Sequence, residues 1–184
     1  MEVNATNICL IPKVEQLEFV SQFCPISMCN VVYNVLTKTL VNHLKALIPE
    51  LITPQQTGFI PSRSIHDNIV VAQEMMHSMR RMQGKVGYII IKVDLSKAYD
   101  KICWSFVAKI LKEVELPQNM MDVIMSCISS VKTNVLWNGQ RSDMFSFHRG
   151  LRQGDPLLPY LFVLFMDKLS HIFSKWALET YEDG

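Results

Sequence analysis

The sequence predicts a mixed α+β fold in which helices pack on a small antiparallel sheet. Three features lead to this prediction: apolar residues at helical spacing, a short β-branched run, and an Asn-Gly pair between two alternating segments. The 184 residues are 49% hydrophobic and 19% charged, which suffices for one domain with a sizeable core. We therefore expect an ordered domain.

Two amphipathic helices are predicted in the first half of the chain. Apolar residues from Ile26 to Leu47 recur at roughly helical spacing, and Pro49 and Thr53-Pro54 close the segment. The second helix follows a loop over 55–62, and its apolar residues step by four and three: Ile65, Ile69, Ala72, Met76 and Met79. We expect its methionines to lie in the core.

A largely buried strand is predicted from Tyr88 to Val93, because this run is rich in β-branched residues and follows Gly87. Asp94 then stands at the exit of the strand. Helices are expected at about 98–114 and, with Pro117 as a helix-starting residue, at about 118–130.

A hairpin and a final helix are predicted in the last third of the chain. The segment from Val131 to Trp137 alternates, and Asn138-Gly139 separates it from a second extended stretch, Asp143 to His148. A loop from Arg149 to Asp155 leads into an apolar helix from about Pro156 to Phe173.

Charge and cysteine content exclude several classes of protein. With 18 Lys plus Arg against 17 Asp plus Glu, the chain lacks the basic excess of a protein held on nucleic acid by overall charge. Five cysteines without C-x-x-C spacing argue against a disulfide framework and a zinc ribbon, so we interpret them as small buried hydrophobes. The longest apolar run, Leu157 to Met166, is too short for a membrane span. We expect an intracellular protein, nuclear or cytoplasmic.

Asp94 is the first candidate for chemistry. A carboxylate fixed at the end of a strand can hold a divalent cation, since hard oxygen ligands suit Mg²⁺. An aspartate in this position can equally cap the helix that follows. The residues alone leave both interpretations open.

Two segments, Val93 to Asp100 and Gly150 to Pro156, stand in succession with several shorter motifs. Together they resemble the reverse transcriptases of non-LTR (LINE-type) retrotransposons, most closely the plant type. Val93 to Asp100 resembles the family's first metal-binding motif, and Gly150 to Pro156 resembles the motif that contacts template and incoming nucleotide. Further segments match in the family's order, over roughly residues 8–175: Leu10-Ile11-Pro12-Lys13, Phe23-Cys24-Pro25-Ile26-Ser27, Gln55 to Asn68 and Trp137-Asn138-Gly139.

The resemblance implies an RNA-directed DNA polymerase with the right-hand fingers and palm architecture and an RRM/ferredoxin-like sheet, incomplete at the C-terminus. We expect a short tail over 1–7 and a partial reverse transcriptase domain over 8–184. Within that domain, about 8–86 would be fingers-like and about 87–184 a partial palm. The implied partners are an RNA template, a DNA primer and dNTPs.

The resemblance also assigns roles to single residues. Asp94 would be a shared ligand of two Mg²⁺ ions, helped by the Leu95 carbonyl, and Tyr99 would be the steric gate against a ribose 2′-hydroxyl. The nucleotide would also lie against Gln153 and Gly154.

Three cationic residues complete the implied set. Lys13 would contact the triphosphate, and Arg63 and Arg152 would contact nucleic acid. For Lys13 and Arg63, a role as solvated surface residues remains an equal alternative.

The sequence departs from the family at several points. We find no aromatic-Ala-Asp-Asp hairpin, which supplies the other catalytic carboxylates, and Tyr181 to Gly184 is interpreted as a polar tail. Cys24 replaces the usual Arg, and Leu157-Leu158-Pro159 replaces Leu-Ser-Pro. We therefore expect weak Mg²⁺ binding and a catalytically incomplete chain. Two alternatives are a non-catalytic module that binds RNA or an RNA–DNA hybrid, and a degenerate retroelement product that does not fold stably.

Overall fold

One five-stranded sheet organises the first strands and the hairpin. The computed structural model describes residues 4–83 and 89–182, with side chains as far as Trp176. Its strands are β1 (Ala5–Pro12), β2 (Phe23–Met28), β3 (Lys132–Trp137), β4 (Gln140–Arg141) and β5 (Phe145–Ser146). The order is β2-β1-β3-β4, and β5 also pairs with β3. Residues 5–7, expected in a tail, belong to β1.

The sheet is mixed, so the predicted antiparallel sheet is wrong in one pairing. β1 and β2 form an antiparallel pair, whereas β1 and β3 run parallel, with Ile8 opposite Val135. Parallel neighbours need a long crossover, and here the helices between β2 and β3 provide it.

Strand alternation gives the sheet two different faces. The rear face packs toward the helices and carries Thr6, Ile8, Pro25, Ser27 and Thr133. The front face carries Cys9, Ile11, Cys24, Ile26 and Met28. Thr6, Ile8 and Thr133 are buried, whereas Ile11, Ile26 and Met28 are exposed. The front face is therefore an apolar surface open to solvent.

The predicted hairpin is confirmed. Asn138 and Gly139 both have positive φ, 48° and 78°, as a two-residue turn requires. Trp137 lies opposite Gln140, but Thr133 lies opposite Phe145, so the second arm contains one extra residue.

Six helices are present in the described part of the chain: α1 (Val31–Leu51), α2 (Ile65–Arg81), α3 (Ala98–Lys101), α4 (Trp104–Glu113), α5 (Gln118–Ser129) and α6 (Leu158–Glu182). A short 3-10 turn, Val20–Gln22, precedes β2. The first helix begins later than its apolar spacing suggested, because Ile26 lies in β2 and the Asn30 side chain caps α1 by accepting from Tyr33 N at 2.8 Å.

The later helices match their predicted ranges to different degrees. The predicted helix at 98–114 is interrupted, because Ile102 and Cys103 are extended between α3 and α4. α5 agrees with its prediction. α6 continues to Glu182, so Tyr181 and Glu182 belong to a helix and the prediction of a tail is wrong there. Residues 183–184 lie outside the described chain.

The hydrophobic core lies among the helices. One face of α1 is buried by residues spaced four and three apart, namely Tyr33, Thr37, Val41, Leu44 and Ile48. They pack in one cluster with residues of α4, α5 and α6, including Leu111, Ile124 and Leu161. Four of the cysteines are buried or half-buried and Cys103 is exposed, so the expectation of burial is wrong for Cys103.

Two predicted core elements are instead exposed. α2 forms as predicted, but none of its residues is buried, so the expectation that Met76 lies in the core is wrong. Residues 89–93 form no strand, and Ile89 and Ile91 are 87% and 76% exposed; Tyr88 lies outside the described residues. A strand needs a neighbour for its N–H and C=O groups, and none of the described strands runs beside this segment.

A buried polar network joins the sheet to the helices. Arg152 and Asp155 form an ion pair with 3.4 Å between the guanidinium and the carboxylate, and both residues are buried. The Tyr33 hydroxyl donates to the same carboxylate at 2.6 Å, and the Arg152 guanidinium lies 4.2 Å from the Tyr33 ring centroid. Arg152 also donates to the Thr6 hydroxyl at 2.7 Å. The network thus links β1, α1 and the segment before α6.

Removing the Tyr33 hydroxyl should destabilise the fold. Tyr33→Phe leaves the buried Asp155 carboxylate without one of its donors, so we expect the free energy of unfolding to fall by about 1–3 kcal/mol. Urea denaturation followed by circular dichroism measures this change. Tyr160→Phe, at a half-buried tyrosine of α6 outside the network, is the control. Equal stability of Tyr33→Phe and wild type would contradict the importance of this contact.

Stability should also fall in alkaline solution. Burial raises the pKa of Tyr33 above its ordinary value of 10.0, and the Asp155 charge raises it further while Arg152 opposes the rise. The stability that this neutral hydroxyl contributes is present below a pH of about 10 and is lost as the pH rises, because the unfolded chain ionises first. Stability curves should therefore fall less steeply above pH 10 in Tyr33→Phe than in wild type.

Candidate functional site

The segment from Gly150 to Asp155, here called the 150–155 turn, is hydrogen-bonded to α3 and to the residues that follow it. Its first two amides donate to backbone carbonyls, Gly150 N to Ile102 O at 2.7 Å and Leu151 N to Tyr99 O at 2.8 Å. The Trp104 indole donates to Gly150 O at 2.8 Å. These bonds explain why the helix predicted at 98–114 is interrupted, since Ile102 O is used by the turn.

The other end of the 150–155 turn is bonded to β2. Ser27 N donates to Gln153 O at 2.9 Å. Gly154 follows with φ +101°, and a Cβ at this position would lie 2.7 Å from Ser27 O. Only glycine fits this approach without a shift of the backbone. The turn therefore joins the segment after Asp94 to the edge of the sheet.

Gln153 contacts the front face, and Lys13 lies in the bend that follows β1. The Cys24 thiol donates to the Gln153 side-chain oxygen at 3.3 Å, and Cys24 lies on the front face of β2. Lys13 directly follows β1, is exposed, and donates its backbone N–H to Gln22 O at 2.9 Å. Lys13 thus lies close to the sheet in sequence, and of the two residues the structure places only Gln153 in contact with the front face.

Tyr99, the predicted steric gate, is half-buried on α3. Its ring packs against Phe162 of α6 at a centroid distance of 4.6 Å and an angle of 58°. Because its carbonyl accepts from Leu151, the gate residue and the 150–155 turn are held together.

Asp94 and Leu95, the predicted metal ligands, lie in an exposed segment without regular structure. Among the side chains that the structure describes, no three of His, Cys, Asp or Glu lie close enough to hold a metal ion. Two Mg²⁺ ions need several oxygen ligands each. The described residues therefore do not fit a complete two-metal site, and Asp94 supplies one ligand at most.

The two predicted nucleic-acid-binding arginines are engaged within the protein. Arg63 donates to four backbone carbonyls at the end of α1 and in the next loop, those of Pro49, Ile52, Thr53 and Gln56. Arg152 belongs to the buried network. Contact of either side chain with nucleic acid stays a prediction.

Sequence reasoning missed two contributors to this geometry. Trp104 falls within the helix predicted at 98–114, and from the sequence Cys24 is only a departure from the family pattern. Neither observation predicts the contact of Cys24 with Gln153. For Trp104 the sequence offered no signal, because its partner lies 46 residues away.

None of the helices in the described residues is both long and apolar enough to cross a membrane.

Comparison with known proteins agrees with the motifs. Residues 11–183 match the family described as Reverse transcriptase (RNA-dependent DNA polymerase). The chain is 30% identical over 160 residues to the Retrovirus-related Pol polyprotein from type-2 retrotransposable element R2DM of Drosophila melanogaster, covering 86% of this chain and 15% of that protein. It is 26% identical over 155 residues to the Transposon TX1 uncharacterized 149 kDa protein of Xenopus laevis, covering 84% and 12%.

A third relative is the Retrovirus-related Pol polyprotein from type-1 retrotransposable element R2 of Popillia japonica, 28% identical over 161 residues that cover 87% of this chain and 22% of the relative. The chain thus spans only 12 to 22% of the length of these relatives. The family match extends over nearly the whole chain and the relatives are retrotransposon proteins, so the chain belongs to the reverse transcriptase family, as a domain of the non-LTR retrotransposon kind.

Proposed function

We propose that the chain is the template- and nucleotide-holding part of an RNA-directed DNA polymerase. The observation that carries the proposal is the 150–155 turn, which is bonded to α3 at one end and to β2 at the other. In this assignment about 8–86 form the fingers, about 87–184 form part of the palm, and the plant-type origin stays a prediction.

The front face supports a role in binding a base pair. Ile11, Ile26 and Met28 are 46%, 37% and 57% exposed, which leaves an apolar surface for the flat face of a base. Lys13, in the bend that follows β1, offers a cation for a triphosphate, and the Gln153 amide lies at the front face. These groups match the RNA template, the DNA primer end and the dNTP that the family uses.

Tyr99 is proposed to select the deoxyribose. Its ring is fixed by Phe162 and its carbonyl by Leu151, and the ring would fill the space that a ribose 2′-hydroxyl would occupy. A gate must be rigid to exclude one hydroxyl group, and these two contacts supply that rigidity.

Magnesium enters this proposal only through the family, where two ions activate the 3′-hydroxyl and stabilise the leaving pyrophosphate. In this chain Asp94 and the Leu95 carbonyl would be its ligands. Because no three potential ligands cluster among the described side chains, the described residues do not support a catalytic step.

The same absence favours a second candidate function, a non-catalytic module that binds RNA or an RNA–DNA hybrid. Among the described side chains Asp94 belongs to no metal-binding cluster, whereas the front face and the 150–155 turn are formed. Binding without catalysis would need only these formed parts.

Hybrid binding should depend on Lys13 and on salt. Each phosphate contact lowers the slope of log affinity against log salt by roughly 0.7 to 0.9, so Lys13→Ala should weaken binding and make the slope shallower by about one unit. Fluorescence anisotropy with a labelled RNA–DNA hybrid measures both. Lys45→Ala, at an exposed lysine of α1, is the control. Unchanged affinity and slope in Lys13→Ala would count against the proposed front-face site.

Primer extension separates the two candidate functions. With RNA template, DNA primer, Mg²⁺ and dNTPs, we expect hybrid binding without extension by the chain alone, since Asp94 belongs to no cluster of three potential metal ligands among the described side chains. Product formation that Asp94→Asn abolishes would show that the chain completes its own metal site, and would exclude the non-catalytic module.

A further inference from the structure

A cavity of about 470 Å³ lies behind the 150–155 turn. Its sheet wall is formed by Ile8, Pro25 and Ser27. All three lie on the rear face, opposite the face that carries Cys24 and Ile26. The cavity is therefore separate from the front-face site, although Gln153 takes part in both.

The inner walls of the cavity are apolar. They are formed by Ile128 of α5, by Val131, which lies two residues after α5, and by Leu161 of α6. These three side chains are only 7%, 2% and 3% exposed. The buried charges in the wall, Arg152 and Asp155, are already paired with each other and do not call for a charged ligand.

The entrance carries charges of both signs. Asp100, His148 and Arg149 line it, and all three are exposed. Because an acid and a base stand together, the entrance does not select an ion of either sign. It can instead offer hydrogen bonds to the polar edge of a neutral molecule.

We propose that this rear cavity binds an uncharged, mainly apolar small molecule. Its volume lies within the range of small-molecule sites, and an apolar cavity lined by a few polar groups is the usual form of such sites. The ligand would contact Leu151 and Gln153, so its binding would fix the 150–155 turn from behind. The proposal does not depend on catalysis by the chain.

Indole is a suitable probe, since it is uncharged and mainly apolar and carries one N–H donor. Titration of the full chain, followed by NMR of ¹³C-labelled isoleucine methyl groups, should give saturable shifts at Ile8 and Ile128, with a Kd on the order of 1 mM. Ile69, on the exposed α2, should not shift. Shifts of equal size at Ile69 and Ile8, or no saturable shift, would overturn the proposal.

Filling the cavity gives the decisive comparison. Val131→Phe should weaken indole binding at least tenfold, whereas the same substitution at Val70, which is 62% exposed on α2, should leave it unchanged. Ser27→Leu fills the cavity from the sheet wall and decides the outcome if Val131→Phe does not fold. Wild-type affinity in a folded filled variant would exclude the cavity as the site.

Discussion

The structure depends on a buried ion pair, Arg152 with Asp155, that is completed by the Tyr33 hydroxyl. Two charges taken out of water are costly unless both are paired and hydrogen-bonded. Here Tyr33 and Thr6, from distant parts of the chain, supply the further hydrogen bonds of the pair. The pair fixes the relative positions of β1, α1 and the start of α6. Gln153 and Gly154 lie between its two members, so the same interaction holds the residues expected to meet the nucleotide.

Strand alternation then separates an exposed face of the sheet from a packed one. Along β2, odd-numbered side chains turn to the core and the rear cavity, while even-numbered ones form the open front face. The 150–155 turn contacts both faces of the sheet. Cys24 of the front face donates to Gln153, and Ile8 of the rear face lines the cavity behind the turn. The open front face and the rear cavity thus lie on opposite sides of a single layer of backbone.

Local patterns predicted the local elements well. The Asn138-Gly139 pair located the hairpin, the apolar spacing located most of α1, α2 and α6, and Pro117 located the start of α5. Two features set by distant contacts could not be predicted, because a sequence does not show which segments meet. These are the parallel pairing of β1 with β3 and the contact of the Cys24 thiol with Gln153, 129 residues away. The prediction of a strand ending at Val93 was wrong for the same reason. Its residues have high β-propensity, but none of the described strands pairs with this segment. For the candidate site, motif resemblance located the turn, and only the coordinates showed what holds it.

The bond between Ser27 N and Gln153 O has a consequence for self-association. β2 is the outer strand of the sheet, and the amides of an outer strand are open to pairing with another polypeptide. The turn occupies one of these amides and places a side-chain-free residue, Gly154, directly against the strand. The 150–155 turn therefore also protects the edge strand β2 from pairing with another molecule. A substitution that displaced the turn would expose backbone groups through which two molecules could pair edge to edge.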